Sequence, residues 1–129
     1  MKQTINLGGP GYYYLATVYS KHKLGIEAAF QEACNIAGRL LLCGVNVYSP
    51  IAHTHPIAIH ANIDPLDHGI WIPADQPLMD AAKGLLVATM DGWESSYGIG
   101  CEIKSFKSQK KPIFYLDPAT LEVTSKFVG

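Results

Sequence analysis

The chain has 129 residues, a formal net charge of -1, 48% hydrophobic residues and 16% charged residues. A chain of this length forms one domain with a single core. The charge balance lacks the basic excess that binding to a phosphate backbone needs, which argues against nucleic acid as a partner. Every apolar run is too short or too mixed to span a bilayer, which argues against a membrane segment.

The beginning of the chain and its cysteines bear on domain organisation and compartment. Residues 1–11 include Gly8-Gly9-Pro10-Gly11 and have no signal-peptide pattern. We therefore expect a flexible leader over residues 1–11, a single domain over residues 12–129 and a cytoplasmic location. Cys34, Cys43 and Cys101 lack metal-type spacing, and the first two lie in apolar surroundings, so we expect those two to be buried, reduced thiols.

The first half of the domain indicates a strand, a helix and a second strand. Residues 12–18 are rich in aromatic and β-branched side chains, which predicts a central strand. Apolar residues recur at three-and-four spacing over residues 26–41, which predicts an amphipathic helix that Gly44 ends. Residues 45–49 predict a short second strand, and this order implies a right-handed parallel crossover.

Residues 49–70 have no hydrophobic period and contain several prolines and histidines. We expect a long loop here, and a loop of that length in a compact domain is usually functional or a lid. Helical character resumes over residues 71–82. Because Pro77 would remove a helical hydrogen bond, we expect this helix to begin near Asp75 or to be kinked.

The second half continues the alternation of strands and helices. An apolar run over residues 85–90 predicts a buried strand, residues 97–109 predict a helix, and residues 113–116 predict a fourth strand. Residues 122–128 alternate weakly and predict an edge strand. The whole pattern predicts a small doubly wound, flavodoxin-like α/β fold, with a mostly parallel sheet of four or five strands and three helices.

A candidate site follows the strand at residues 85–90. A polar turn there leads into a helix, and the free N–H groups of helix N-termini at the carboxyl ends of parallel strands attract anions. Glu102 lies four residues after Gly98, about one turn into this helix, where its carboxylate would overlook the turn. The same pattern also fits a solvated Glu102 and a plain N-cap at Ser95 or Ser96.

A second carboxylate, Asp75, and the tyrosines Tyr14 and Tyr19 complete a set that suits glycosyl chemistry. A carboxylate can stabilise or capture an oxocarbenium-like sugar while a second acid protonates the leaving group. The alternatives are that Asp75 only caps a helix and that the tyrosines are only core residues.

Other classes of site fit the sequence less well. The histidines of residues 49–70, with Asp64 and Asp67, are metal-type ligands, but no second-shell pattern accompanies them, so a lid or loop-anchoring role is favoured and no metal is implied. The turn after residue 90 lacks the Walker lysine and the dinucleotide fingerprint, so no ATP or NAD cofactor is implied. Neither Ser95 nor Ser96 has the flanking glycines of a serine-hydrolase elbow.

Several short stretches occur in a characteristic order: Tyr14-Leu15-Ala16-Thr17, then Asp75, then Ser96-Tyr97-Gly98-Ile99-Gly100-Cys101-Glu102. Together they resemble the nucleoside 2-deoxyribosyltransferase-like superfamily, which includes deoxynucleoside 5'-monophosphate N-glycosidases. The chain is most similar to a small bacterial and phage family of unknown function within it. That family carries a similar Ser49-Pro50-Ile51-Ala52-His53-Thr54-His55-Pro56-Ile57 stretch and a Gly92-Trp93-Glu94, and the resemblance extends over residues 12–116.

The resemblance implies a role for each matching residue. Glu102 matches the nucleophilic glutamate that attacks C1' of the sugar and forms a glycosyl-enzyme ester. Asp75 matches the aspartate that handles the base or its leaving proton, and Tyr14 matches the tyrosine that orients the nucleophile. Ser96 matches a position that is an aspartate in the transferases and a phosphate-contacting serine in the monophosphate glycosidases, which favours a phosphorylated substrate.

We therefore expect an enzyme without a cofactor that cleaves or exchanges the N-glycosidic bond of a nucleoside or nucleoside 5'-monophosphate. The residues expected to bind substrate or phosphate are Ser96, Ser95, Gly98, Gly100, Thr17, Tyr19, His53 and His55. By analogy with the similar proteins, we expect a homodimer or higher homo-oligomer whose pockets are completed across the interface. Two alternatives remain: a non-catalytic nucleotide-binding or sensor module, and a metal-dependent hydrolase that uses the histidines.

Overall fold

The core of the molecule is a five-stranded sheet. The computed structural model describes residues 5–125. The strands are β1 (Tyr13–Ala16), β2 (Val47–Tyr48), β3 (Gly84–Ala88), β4 (Ile113–Leu116) and β5 (Val123–Thr124). They lie in the order β2-β1-β3-β4-β5, with β1 to β4 parallel and β5 antiparallel to β4. This is the flavodoxin-like order, in which the switch point lies between β1 and β3.

Four helices connect the strands. They are α1 (Ile26–Leu42), α2 (Pro50–Ala61), α3 (His68–Ala81) and α4 (Tyr97–Ser108), and a single 3-10 turn (Trp93–Ser95) precedes α4. The predicted doubly wound α/β fold with a mostly parallel sheet is therefore confirmed. Among residues 5–125, no helix combines the length and the apolar character that crossing a bilayer requires.

The two central strands are apolar on both faces, and every residue of β1 and β3 is buried. Tyr13 pairs with Gly84, and Tyr14 pairs with Leu85. A side chain at Gly84 has no room, because a Cβ would lie 2.9 Å from Tyr13 Cε1 and 3.0 Å from the Pro112 carbonyl oxygen. In the same β1–β3 register, the Tyr14 ring lies 5.9 Å from the ring of Phe106 in α4.

Part of the predicted leader packs on the domain. Leu7 is buried in the core, and Lys83 Nζ donates a hydrogen bond of 3.0 Å to the carbonyl oxygen of Gly8. The first four residues lie outside the described range, and flexibility stays a prediction for them. The predicted edge strand is also partly outside the description: β5 covers two of its residues, and residues 126–128 are not described.

The prediction of a long loop over residues 49–70 was wrong, because residues 50–61 form α2. Ser49 caps this helix by accepting a hydrogen bond of 3.2 Å from Ala52 N. Pro50 occupies the first helical position, where no hydrogen bond is lost. The buried residues of α2 are proline, histidine and alanine, while Ile57 and Ile59 are exposed. The helix therefore carries no apolar stripe from which a period could be read.

Helix α3 begins earlier than predicted. Asp67 is its N-cap and accepts a hydrogen bond of 3.0 Å from Gly69 N, so the helix starts at His68. Asp75 lies within the helix rather than at its start, and Pro73 and Pro77 are both helical. Each proline removes one backbone donor, but packing on neighbouring elements can hold a helix that propensity alone would end.

The expected burial of the first two cysteines was wrong. Cys34 and Cys43 are exposed, and Cys101 is half-buried. The buried face of α1 is formed by other residues: Ala29, Ala33, Ile36 and Leu40. Cys34 is adjacent to Ala33 in sequence but about 100° around the helix from it, which places its thiol toward solvent.

Candidate active site

Helices α3 and α4 run side by side in the same direction. Three contacts join residues that are 29 positions apart: His68 with Tyr97, Gln76 with Ser105, and Asp80 with Gln109. The first is a ring contact with 4.7 Å between centroids, and the others are hydrogen bonds of 3.1 and 3.0 Å. Because this separation in sequence is constant, the two helices keep the same register along the length over which they are in contact. Asp75 and Glu102 lie between the first contact and the last.

Three side chains come together in the structure: Asp75 of α3, Glu102 of α4 and Tyr14 of β1. Burial raises the pKa of Asp75 to about 6, and the charge of His53 and the Tyr14 hydroxyl partly offset that rise. Burial also raises the pKa of Glu102 to about 8, an effect that Tyr14 opposes and the charge of Asp75 reinforces. The structure therefore brings the three predicted catalytic residues together in one partly desolvated cluster.

Tyr14 provides the buried floor of this cluster. Its ring is fully buried, 5.7 Å from the ring of Tyr48. Its hydroxyl interacts with both Glu102 and Asp75, but it makes no hydrogen bond of standard geometry to a residue in the described range. Burial and the two negative charges raise the pKa of Tyr14 far above its usual range. The side chain is therefore a neutral phenol with a donor available to a carboxylate or to a ligand.

The pKa values of about 6 and 8 give this carboxyl pair one proton near neutral pH. Because the two groups interact, the proton belongs to the pair rather than to one residue. One ionised and one protonated carboxyl in the same site is the state that acid and nucleophilic catalysis both require. The arrangement can therefore supply a carboxylate to one atom of a substrate and a proton to another.

Helix α2 brings His53 to the edge of the cluster. Tyr48 Oη and His53 Nδ1 lie 3.0 Å apart, and the positive form of His53 favours ionised Asp75. Burial, followed by the charges of Asp75 and Tyr12, raises the pKa of Tyr48 to about 12. Tyr48 was not predicted as a site residue. A signal was present, since it ends the strand that directly precedes the histidines and so lies at the carboxyl edge of the sheet.

The predicted phosphate-binding residues lie at the start of α4. Ser96 is the N-cap, and its Oγ accepts a hydrogen bond of 3.3 Å from Ile99 N. Gly98 and Gly100 are in the first turn, where Gly100 N donates to the Ser96 carbonyl oxygen over 3.0 Å. Ser95 is exposed, and its hydroxyl donates to the Gly92 carbonyl oxygen over 3.2 Å. The contact of His68 with Tyr97 brings the first residues of α3 and α4 together, so two helix N-termini adjoin here.

The remaining predicted binding residues form a separate group. His55 is only 3% exposed, and its two ring nitrogens contact Tyr19 Oη at 2.6 Å and Glu27 Oε2 at 2.8 Å. The Phe30 ring stacks on the imidazole with 4.7 Å between centroids. Glu27 and Phe30 were missed because they look like ordinary residues of an amphipathic helix. Thr17 is buried, and its hydroxyl has no hydrogen-bond partner among residues 5–125.

The histidines that suggested a metal site lie apart in the structure and have different partners. His53 contacts Tyr48, His55 contacts Tyr19 and Glu27, and His68 contacts Tyr97. Within the part of the chain that the structure describes, no three His, Cys, Asp or Glu side chains are grouped so that they could hold a metal ion.

Two cavities lie away from the carboxyl cluster. One of about 460 Å³ lies at the switch point, between the segment after β1 and the ends of β3 and β4, and the other, of about 780 Å³, lies beside the first and last described residues. Neither is lined by Tyr14, Asp75 or Glu102. The first contains an exposed ion pair between Lys23 and Asp91. We place the candidate chemistry at the cluster because its carboxyl groups are desolvated, whereas the charges of that ion pair face water.

Comparisons with known proteins agree with part of the expectation. A search of curated proteins gives no match to the chain. A family model described as a domain of unknown function (DUF1937) matches residues 11–117. This match agrees with the expected family of unknown function, and it leaves the wider kinship with nucleoside 2-deoxyribosyltransferases as a prediction. The matched region covers all the predicted site residues, and the chain belongs to the DUF1937 family.

Proposed function

We propose that the protein cleaves or exchanges the N-glycosidic bond of a nucleoside or nucleoside 5'-monophosphate. The observation that carries this proposal is the meeting of Asp75 and Glu102 against the buried Tyr14 hydroxyl, with the pKa of both carboxyls raised. The resemblance of the surrounding motifs to nucleoside 2-deoxyribosyltransferases supports the same chemistry. The proposed site is at the interface of α3, α4 and β1.

In the first proposed step, a Glu102 carboxylate oxygen bonds to C1' of the sugar as the bond from C1' to the base nitrogen breaks. The bonding electrons leave with the base, which takes the proton of Asp75. The product is a glycosyl ester on Glu102 and a free neutral base. A second acceptor, either water or another base, then attacks C1' and returns a proton to Asp75 while Glu102 leaves as a carboxylate.

The electrostatics of the cluster suit this sequence of steps. Burial favours the neutral form of Glu102 before the sugar develops charge. An oxocarbenium-like sugar beside Glu102 adds a positive charge that lowers the pKa of this carboxyl and favours the ionised nucleophile. The Tyr14 hydroxyl acts in the same direction, because it interacts favourably with the carboxylate. The pair's single proton is then available on Asp75 for the leaving base.

The start of α4 is the proposed anion site for a 5'-phosphate. Ser96 supplies a hydroxyl, and the N–H groups of the first two helical residues, Tyr97 and Gly98, point out of the helix toward the same place. The adjoining N-terminus of α3 adds a second favourable dipole. Glu102 lies five residues beyond Tyr97, so the sugar site is about 8 Å further along the helix axis. That separation is of the order of the distance between a 5'-phosphate and C1' of its nucleotide.

The direct test measures free base released from a panel of nucleosides and their 5'-monophosphates. Glu102→Gln should reduce release by at least about a thousandfold, because removing a covalent nucleophile removes the principal route. Glu94→Gln, an exposed change in the preceding turn, should leave release unchanged. Equal release by the native protein and the Glu102 variant would exclude glutamate-based glycosyl chemistry.

A second candidate is a nucleotide-binding module without turnover. The raised pKa of Glu102 favours it, because a neutral carboxyl can donate a hydrogen bond to a bound base or sugar. This module would be stabilised against heat by a nucleoside monophosphate but would release no base. Measuring the melting temperature and base release in the same samples separates the two candidates.

A further inference from the structure

Helix α2 is attached to the domain by a polar chain in which His55 is buried, Tyr19 is half-buried and Glu27 is exposed. The imidazole of His55 bridges Tyr19, after β1, and Glu27, in the first turn of α1, with distances of 2.6 and 2.8 Å. Both ring nitrogens are used, and Phe30 covers the ring face. A buried imidazole with two hydrogen bonds fixes the position of its helix more sharply than an apolar contact of the same size, because the bonds depend on direction as well as distance.

Apart from His55, the apolar residues of α2 are mostly half-buried or exposed. Its other buried residues are Pro50, at the first position, and Ala58. Ile57 and Ile59 are 40% and 49% exposed. Between Pro50 and Ala58, His55 is the one buried residue of α2, and its three partners lie in α1 and the segment after β1.

The same helix carries His53 to the exposed edge of the carboxyl cluster. Residues two apart in a helix lie about 200° apart around its axis, so His53 and His55 face nearly opposite sides. His53 contacts Tyr48 at 3.0 Å and interacts with Asp75, while His55 faces α1. The groups that face Asp75 are Tyr14 of β1, Tyr48 of β2, His53 of α2 and Glu102 of α4.

We propose that His55 is a positioning residue, which clamps α2 through Tyr19 and Glu27 so that His53 is held at Tyr48, where its positive form acts on Asp75 through space. The positive form of His53 favours the ionised form of Asp75, and the clamp determines whether His53 stays within range of it. The proposal rests on the proposed function only in making Asp75 the acid–base group. The mechanical link from His55 to Asp75 does not depend on any reaction.

The test is a titration of the Asp75 carboxyl carbon by NMR in protein labelled at aspartate. The variants are His53→Gln, His55→Leu and the double variant, with His60→Gln as a matched control because His60 is exposed on the same helix. His53→Gln should raise the pKa of Asp75 above about 6, since it removes the favourable cation. His55→Leu should raise it similarly, the double variant should raise it no further, and His60→Gln should leave it unchanged.

Two further variants keep the test decisive. Tyr19→Phe removes one bond of the clamp and should raise the pKa of Asp75 in the same direction if His55→Leu does not fold. His55→Gln keeps one donor and one acceptor, so it should restore a large part of the native value. An unchanged Asp75 pKa in folded His55→Leu or Tyr19→Phe would overturn the proposal, as would additive effects of His53→Gln and His55→Leu. Base release is not measured, so failure of the proposed function would leave this result intact.

Discussion

Gln76 of α3 donates a hydrogen bond of 3.1 Å to Ser105 of α4, directly beside the two carboxyls of the candidate site. Asp75 precedes Gln76 in the chain, and Glu102 lies about one turn before Ser105. The contact therefore ties the helix that carries the proposed acid to the helix that carries the proposed nucleophile.

The raised pKa of Glu102 predicts that stability falls with rising pH. An ordinary glutamate has a pKa of 4.5, against about 8 in the folded protein. Between these values the folded state binds more protons than the unfolded state, so the free energy of unfolding decreases as pH rises through this window. Glu102→Gln should remove this decrease in the free energy of unfolding, because glutamine does not titrate. Melting temperatures of the variant and the native protein should agree near pH 4, and the variant should melt higher at pH 8.5.

Asp75→Asn should slow base release most for substrates whose base is a poor leaving group. A general acid contributes about 10² to 10⁴ in rate when the leaving base needs a proton. A base that already carries a positive charge, such as 7-methylguanine, leaves without one. The rate of base release should therefore fall strongly for adenine or guanine nucleosides and only slightly for the 7-methylguanine nucleoside. Equal loss for both substrates would contradict the acid role of Asp75.

Tyr14→Phe should alter the titration of the cluster more than the stability of the fold. The Tyr14 hydroxyl is buried without a hydrogen bond of standard geometry in the described chain, so its removal should cost less than about 1 kcal/mol. Because the hydroxyl opposes the rise in the pKa of Glu102, this pKa should increase further. Because the pair must keep one proton for the leaving base, base release should fall on the alkaline side as that proton is lost, and this fall should move to higher pH in the variant. Tyr13→Phe, in the same strand but facing the other side of the sheet, is the control.

Ser96→Asp should separate phosphorylated from unphosphorylated substrates. Aspartate is as good an N-cap as serine, so α4 should stay intact. Its negative charge would repel a 5'-phosphate at the start of the helix. The KM for a nucleoside monophosphate should rise by at least about tenfold, an energy difference of about 1.4 kcal/mol, while the KM for the nucleoside should change little. Equal effects on both substrates would place the phosphate elsewhere.

Two glycine substitutions test the packing of the sheet. Gly84→Ala should destabilise the protein by about 2 kcal/mol or more, because the new Cβ would overlap Tyr13 and the Pro112 carbonyl. Gly38→Ala, in α1, meets no atom within 4 Å. It should stabilise the protein by about 0.5 to 1 kcal/mol through helix propensity. Urea denaturation of the two variants gives both values, and a stable Gly84 variant would contradict the register of β1 and β3.

The sheet and two of the helices were predictable because their burial is apolar. β1 and β3 are continuous apolar runs, and α1 and α4 carry apolar residues on one side. Helix α2 could not be found in that way, because its buried positions are filled by a proline, a histidine and an alanine. Hydrophobic periodicity detects burial of apolar side chains and misses a helix that is attached through polar ones.

The candidate site was predicted through short motifs rather than through periodicity. Glu102 was singled out by its place after a buried strand and a polar turn, Asp75 and Tyr14 by their suitability for glycosyl chemistry, and the resemblance then gave each a role; the structure places the three together. Their catalytic roles stay predictions. The contributions of Tyr48 and Glu27 were missed, since each depends on a histidine of α2 that was expected to be in a loop. An error in one element therefore concealed partners that lie far away in sequence.

The repeated separation of 29 positions between contacting residues of α3 and α4 makes the register of the two helices a functional constraint of its own. Substitutions between the two helices can leave this spacing unaltered, but one inserted residue inside α4 before Glu102 would turn that side chain by about 100°. Relatives that keep the carboxyl pair should therefore tolerate insertions in the loops between the two helices far better than insertions within either helix.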